Sequence, residues 1–396
     1  MAVSRGLTAG FSVITAQRFG AGDYEGVKRS VATSALLSLA ATVLLTAAGI
    51  LTARPLLEVM NTPADIIEDS YAYIIVIYYG VAATAFYNLL SCIIRALGDS
   101  KTPLIFLVFA SFLNVALDLL FIITFHMGVG GAAWATVLSQ GVSGLLCLGY
   151  AWRRFPLLRM EKRHWTFDWS YAWKHLRLAL PMAMQFVITG TSVLVNQAVL
   201  NLFGSAAVAA FSAASKIHML SEQVAVSFGT AMATYAGQNY GAGKAGRVRE
   251  GLRKCALACE AITLGIMVIM TAFGGVMSSW FIDGYHPEVI QQAHLYLFIS
   301  ALFYPALTML FLYRNTLLGL GNGVTPMLAG VCELLSRMIG APVLGHFFGF
   351  TGLCWINPIA WVTASGLLFL SYRKTMRNIR PVDPTVDASD SNKIMN

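Results

Sequence analysis

Charge is what this 396-residue chain has least of: Asp, Glu, Lys and Arg make up 12% of it, against 57% hydrophobic residues. Soluble globular chains carry about 25% charge, so a soluble enzyme is excluded at the outset. The six cysteines (Cys92, Cys147, Cys255, Cys259, Cys332, Cys354) lie in or beside apolar runs, and no pair has the close spacing and histidine neighbours of a zinc site. Cys255 and Cys259 share a helical face, which packing of small residues between helices explains as well. A phosphate loop is lacking too: Gly241-Ala242-Gly243-Lys244 has its first glycine misplaced, and Ala245 follows where Ser or Thr would bind the metal. No Ser-His-Asp set can be assembled in a water-exposed segment. The polar loops are too short for a catalytic domain, so no enzymatic activity and no cofactor are expected.

What the chain does have is long uncharged runs. Residues 31–53, 70–94, 127–152, 178–214 and 347–372 contain no Asp, Glu, Lys or Arg. The run 102–125 holds one carboxylate, Asp118, and 289–313 holds only His294. About 20 apolar residues cross the roughly 30 Å hydrocarbon layer as a helix, so each run is long enough to span. The longest breaks naturally at Phe203-Gly204-Ser205. With 206–235, 255–282 and 324–345 the chain offers about ten spans, and part of another in 3–16. The expected fold class is an all-α polytopic membrane protein whose partner is the lipid bilayer.

The basic residues alternate between the polar breaks. One set holds Arg18, Lys28 and Arg29; Arg95 and Lys101; the run from Arg153 to Arg177; Lys244 to Lys254; Arg314; and the tail from Arg373 to Lys393. The intervening breaks hold only Arg54, among acids such as Glu58, Asp65, Glu68, Asp69, Asp283 and Glu288. Positive loops stay in the cytoplasm, which places the C-terminus there, in the plasma (inner) membrane. The net charge of +8 therefore reflects topology and anionic headgroups. A nucleic-acid surface would instead gather its charge on one face.

The chain also repeats itself. Gln17-Arg18-Phe19-Gly20-Ala21-Gly22 recurs as Gln238-Asn239-Tyr240-Gly241-Ala242-Gly243, and the turn from Leu97 to Pro103 recurs from Leu320 to Pro326. Two halves of the same hand are a recurrent transporter plan. The expected organisation is an N-terminal bundle over 1–152, a cytoplasmic linker over 153–177, a C-terminal six-helix bundle over 178–372 and a disordered tail over 373–396. Two spans precede the Gln-containing turn in the second half, but only sixteen residues precede it in the first. By its own symmetry, the chain is expected to lack one helix and part of the next.

The Gln-x-x-Gly-Ala-Gly turn of each half, Arg95-Ala96-Leu97-Gly98-Asp99, Asn114-x-x-x-Asp118 and Pro181 opening the second half resemble the multidrug and toxic compound extrusion (MATE) family. The resemblance runs from about residue 7 to 372, in register with eleven of that family's twelve helices; the first is the one not matched. It implies two pseudo-symmetric six-helix bundles facing each other in a V, alternately open to either side. It also implies antiport of amphipathic, often cationic compounds against Na⁺ or H⁺.

Asn114 and Asp118 are four apart in an otherwise apolar helix and so share a face. A carboxylate at that depth is a functional candidate by default. Thr136 follows one helix later, in a run of small residues that permits close helix approach. A carboxylate, an amide oxygen and a hydroxyl suit Na⁺ or a shared proton, and in the resemblance these three match the cation site of the first lobe. Interhelical hydrogen bonding is the structural alternative for Asp118.

Glu333 and Arg337, four apart and of opposite sign, are expected to pair with each other. Repeat alignment sets Arg337 opposite Asn114. Lys216, His218 and Glu222 lie along one span, and the last two share a face, as a proton-responsive pair or a buried polar cluster. Gln185, Asn196 and Tyr304 are candidates for a substrate cavity. Tyr78, Tyr79, Tyr87, Met182 and Met184 suit an adaptable wall or ordinary packing. Pro305 and Pro342 are expected to kink their helices.

The function these readings favour is a secondary multidrug exporter for small amphipathic organic compounds, expected to be a monomer. Two alternatives stand beside it: a flippase for a lipid-linked oligosaccharide, and a truncated, non-functional transporter fragment.

Overall fold

In lipid, a backbone with few polar side chains must satisfy its own N–H and C=O groups, and the helix does so within one segment. The computed structural model describes residues 2–60, 62–282, 284 and 286–379. Asp283, Arg380, Lys393 and the rest of the tail fall outside these. Among the described residues there are twelve α-helices and no strand. They form two compact units, residues 1–183 and 184–396.

The first unit contains α1 (Ala2–Gly20), α2 (Tyr24–Val59), α3 (Ile67–Tyr79), α4 (Val81–Ala96), α5 (Lys101–Leu119) and α6 (Gly128–Arg154). The opening of α7 (Trp169–Leu200) belongs to it as well. Val27, Ile93, Ile94 and Cys147 fill its core, with Phe11, Ala179 and Ala183 in a second cluster. The second unit holds the rest of α7 with α8 (Gly204–Gly241), α9 (Ala245–Ser279), α10 (Pro287–Leu302), α11 (Tyr304–Gly319) and α12 (Val324–Asn378). Its main core cluster includes Leu297, Leu310, Leu312, Leu317 and Leu368, and a smaller one gathers Leu200, Ala207, Ala341, Leu353 and Ile356. α8 and α11 approach closely enough that a Cβ at Gly319 would sit 2.4 Å from the Ala233 carbonyl oxygen.

Among the described residues six helical segments are long and apolar enough to cross a membrane, or eight when each of two bent pairs counts as one span. Two of the six are composite. Residues 169–241 join α7 to α8 through a turn at Gly204 (φ 85°), and α12 is broken at Gly349 (φ 59°, ψ −142°). Counting their limbs separately and adding the short α1 gives eleven helical limbs. The bent pairs are α3 with α4, at 41°, and α10 with α11, at 53°. Large apolar side chains such as Leu44, Leu51, Phe112 and Phe347 remain at least 70% exposed. A soluble monomer rarely leaves so much apolar surface uncovered, whereas a lipid-facing one must.

Some boundaries differ from the sequence reading. α7 begins at Trp169, so Pro181 lies inside the helix rather than opening it. Pro305 stands directly after the α10–α11 break, as expected. α12 continues through Pro342, and its break falls seven residues later at Gly349, where only the positive φ interrupts the helix. The first tail residues, Arg373 to Asn378, are the end of α12.

The repeat is visible in the backbone. Ala21, Gly22 and Asp23 donate to the carbonyls of Gln17, Phe19 and Arg18; Ala242, Gly243 and Lys244 donate in the same pattern to Gln238, Tyr240 and Asn239. Gly22 (φ 71°) and Gly243 (φ 70°) occupy the left-handed position each turn requires. The second pair matches as closely. Gly98 (φ 99°) and Gly321 (φ 87°) are followed by Asp99 and Asn322, which accept from the backbone N–H groups of Thr102 and Thr325, each at 3.1 Å.

Asp99 takes on more than its counterpart. Its carboxylate also accepts from the Lys101 N–H, the Thr102 hydroxyl and the Tyr150 hydroxyl at 3.0, 2.7 and 2.7 Å. Burial pushes the carboxyl pKa up, but the bonds from Thr102 and Tyr150 outweigh it and hold the group below the ordinary Asp range. A depressed carboxyl contributes stability that is fully present above its unfolded pKa of about 3.9 and lost as pH falls through the folded one. Thermal melting in detergent between pH 7 and pH 3 is expected to show a steeper acid loss for the parent than for Asp99→Asn, which copies Asn322. Identical acid dependence in both would remove Asp99 as a source of it.

Candidate functional site

Asp118 lies in the most apolar candidate span, 101–124, with mean hydropathy 2.4. No nearby charge accounts for it. In the structure its Oδ1 is buried without a hydrogen-bond partner, and so is Asn114 Nδ2 one turn earlier. α5 and α6 run antiparallel: Ser143 Oγ donates to the Phe106 carbonyl at 3.2 Å, and Phe121 packs against Gly131. These two contacts fix a register that sets Asn114 near the height of Thr136 and Asp118 about one turn further along α5. The Thr136 hydroxyl donates to the Ala132 carbonyl at 3.1 Å, leaving its oxygen lone pairs free. Directly after Asp118 the helix widens into a π-turn over Leu120–Thr124, a feature that recurs at functional sites.

Leaving a buried polar atom unpaired costs about 1–3 kcal/mol, and more when it is charged. The first unit therefore leaves a carboxylate oxygen and an amide nitrogen, one helical turn apart, without partners. A single carboxylate with neutral oxygens balances a charge of +1, a proton or a monovalent cation. Among the described residues no group of three His, Cys, Asp or Glu could hold a metal ion. Asn88 Nδ2 on α4 is also buried and unpartnered. Phe86, two residues earlier, meets Gly144, so Asn88 lies well above Thr136 and outside this group.

The second unit carries a buried charge network alongside its own unpartnered atoms, among them Arg314 Nε, Gln292 Oε1 and His294 Nδ1. Glu333 on α12 bonds Arg314 on α11 through one oxygen, and its other oxygen lies 3.6 Å from Arg337 Nη2. Arg337 Nε donates to Asn357 Oδ1 at 3.1 Å, and Asn357 Nδ2 to the Tyr296 hydroxyl at 3.0 Å. The expected Glu333–Arg337 pair is thus the weaker half of a triad. Arg314, read from sequence as part of a cytoplasmic loop, is 6% exposed inside α11 and supplies the stronger half. Its place in an apolar run five residues before the Gly319 turn was the signal for that position. Glu222 lies within Coulombic reach of Glu333, Arg314 and Arg337.

His218 does not bond Glu222. Its Nδ1 is 2.9 Å from the Tyr304 hydroxyl, and its ring stacks on Trp361 at 5.4 Å and meets Tyr296 edge-on at 6.4 Å. Tyr304, a candidate for a substrate cavity, is 2% exposed and belongs to this aromatic enclosure. Lys216 points elsewhere, its Nζ 5.2 Å from the Phe281 ring centroid. Gln185 is buried with its side chain against Gly330, and Asn196 is half-buried; no hydrogen bond joins either to the network among the described residues. Of the wall candidates, Tyr87 and Met182 are buried while Tyr79 and Met184 are exposed.

Two packed helical units with matching turns and polar groups buried in their spans define the class: a polytopic helical transporter. The MatE family model matches residues 1–120 and 181–343, including Asn114, Asp118, His218, Glu222, Arg314, Glu333 and Arg337. The Bacillus subtilis protein named "Probable multidrug resistance protein YpnP" is 31% identical over 370 residues, 92% of this chain and 80% of that protein. The Thermotoga maritima "Probable multidrug resistance protein NorM" is 28% identical over 378 residues, 91% of this chain and 80% of that protein. A solved structure of a multidrug resistance MATE family transporter in an outward-facing conformation superposes with a TM-score of 0.89. It covers 96% of this chain and 86% of that one at 23% identity, a likeness of fold. The chain belongs to the MATE family of transporters.

The triad makes a stability prediction. Removing one partner of a buried ion pair costs about 3–5 kcal/mol, and Glu333→Gln would leave two buried guanidinium groups facing each other. Fluorescence-detected size exclusion after heating is expected to show a large loss of folded protein for Glu333→Gln and little change for Lys216→Gln. A Glu333→Gln protein as heat-resistant as the parent would show that the triad does not hold the unit together.

Proposed function

We propose that this chain is a secondary multidrug exporter that moves amphipathic organic compounds out of the cell in exchange for Na⁺ or H⁺ by alternating access, with Asp118 as the ion-coupling carboxylate. The observation that carries the reading is Asp118 Oδ1, a carboxylate oxygen buried without a partner in the most apolar span. A buried carboxylate without a donor calls for a cation or a proton, and binding one neutralises it for movement through a low-dielectric path. The relatives named as multidrug resistance proteins support the substrate class. The paired state of Arg314 and Arg337 favours export of such compounds over flipping of a phosphate-bearing lipid carrier, because both guanidinium groups already share Glu333. The alternation of basic loops supports a cytoplasmic C-terminus; Arg314, a single residue of that pattern, leaves its parity intact.

The test is ion-driven dye transport in proteoliposomes, with imposed Na⁺ and pH gradients in separate runs. Asp118→Asn is expected to fall to background under whichever gradient drives the parent, while eluting as a folded protein. Asn114→Ala, which removes one neutral ligand, is expected to raise the ion concentration for half-maximal transport about tenfold, the worth of one charge-assisted contact. Parent-like gradient-driven transport by Asp118→Asn would sink the assignment.

A further inference from the structure

The segment between the two halves has a surface that the transport reading does not use. It turns through two short 3₁₀ segments, Pro156–Leu158 and Lys162–Trp165, before α7 begins. One side of it is fastened to α2. Asp168 pairs with Arg29 at 2.6 Å, and His164 Nε2 lies 2.8 Å from Glu25. His175 Nε2 lies 2.9 Å from Ser30 Oγ, which bonds Thr15 on α1 at the same distance. Tyr171, Ala172 and His175 are buried by these contacts.

The other side is uncovered and aromatic. Phe167, Trp169 and Trp173 are 55%, 62% and 52% exposed, and their rings follow one another at 6.1 and 6.3 Å. Trp169, Trp173, Arg177 and Leu180 fall on one face of α7 by helical spacing, all exposed. This face therefore continues without interruption into the apolar span. Lys162, Lys174 and Arg177 beside it are exposed and make no ion pair among the described residues. At the other end of α2 the situation is reversed: Arg54 is bound by Glu58 at 3.4 Å and Glu68 at 2.8 Å. Of the two ends of α2, the linker end is the one where cations without ion pairs among the described residues stand beside exposed tryptophan.

Indole rings settle at the headgroup level of a bilayer, and cations held at that level attract anionic lipid. We propose that this face of the linker and early α7, centred on Trp169, Trp173, Lys174 and Arg177, is a docking surface for anionic phospholipid. The rings enter the headgroup–acyl boundary and the two cations, with Lys162, engage the phosphates. The fastening to α2 holds the rings at the depth where that helix ends, so the surface is preformed rather than folded on contact. It is independent of ion coupling at Asp118.

The experiment uses the full chain in vesicles of phosphatidylcholine alone or with an equal part of phosphatidylglycerol, each carrying acyl-brominated lipid at the same fraction. The readout is the quenching assigned to Trp169 and Trp173, taken as the difference between the parent and Trp169→Phe/Trp173→Phe. Strong quenching in both mixtures is expected. In trace competition, brominated phosphatidylglycerol is expected to quench in preference to brominated phosphatidylcholine. That preference should fall about fivefold for each cation removed at low salt, in Lys174→Gln and in Lys174→Gln/Arg177→Gln. Absence of acyl-bromine quenching would overturn the proposal and leave the face to water or an acidic protein. Equal quenching by both headgroups in the parent would overturn its anionic selectivity. Because the parent and the glutamine variants keep the aromatic face and the α2 contacts, a lost preference with unchanged thermal stability separates lipid binding from misfolding.

Discussion

A polar group in an apolar span has to find a partner, and the two units treat their buried carboxylates Asp118 and Glu333 differently. In the second unit Glu333 is shared by Arg314 and Arg337, and Arg337 passes on through Asn357 to Tyr296. Such a network ties three buried charges to one another and can hold helices together, with Arg314 Nε left without a partner. In the first unit Asp118 and Asn114 are left incomplete. An incomplete buried site costs stability, and it is retained most readily where a ligand completes it.

The contrast is sharper because the units share so much. Their paired turns use the same hydrogen bonds and the same left-handed glycines. The bent spans match as well, α3 with α4 in one and α10 with α11 in the other. The scaffold is therefore duplicated while the polar groups on it have diverged. Arg337 stands where the repeat places Asn114, and Asn322 where it places Asp99. A neutral residue opposite a charged one at both levels means that equivalent backbone positions carry different electrostatic work.

The linker is more structured than its polar composition suggests. It carries two histidines in different surroundings, His164 against a carboxylate and His175 among hydroxyls and a backbone carbonyl. Both fasten the same helix. One face of the segment is thereby used up in packing, and the remaining face is basic and aromatic. A strip of this kind can stay exposed in a membrane protein because the lipid boundary provides an environment suited to both properties.

Much of the fold was legible in the sequence because hydrocarbon thickness and the alternation of basic loops act on segments one at a time. Span length, the repeated turns and the Asn114–Asp118 pair need no knowledge of neighbours. Proline was a poorer guide: α12 runs through Pro342 and breaks at Gly349, because a helix with surrounding contacts can tolerate a missing N–H more readily than a positive φ. The partners of buried charges were not legible. Arg314 reads as a loop residue until α11 and α12 are packed, and Glu333 has a plausible local partner in Arg337 that proves the weaker one. Likewise, nothing local separates Tyr304 on a cavity wall from Tyr304 closed around His218. Periodicity and hydropathy belong to one helix at a time and were determined by the sequence itself. Which carboxylate is satisfied and which is left open depends on what the neighbouring helix presents at the same height, and only the tertiary structure decided that.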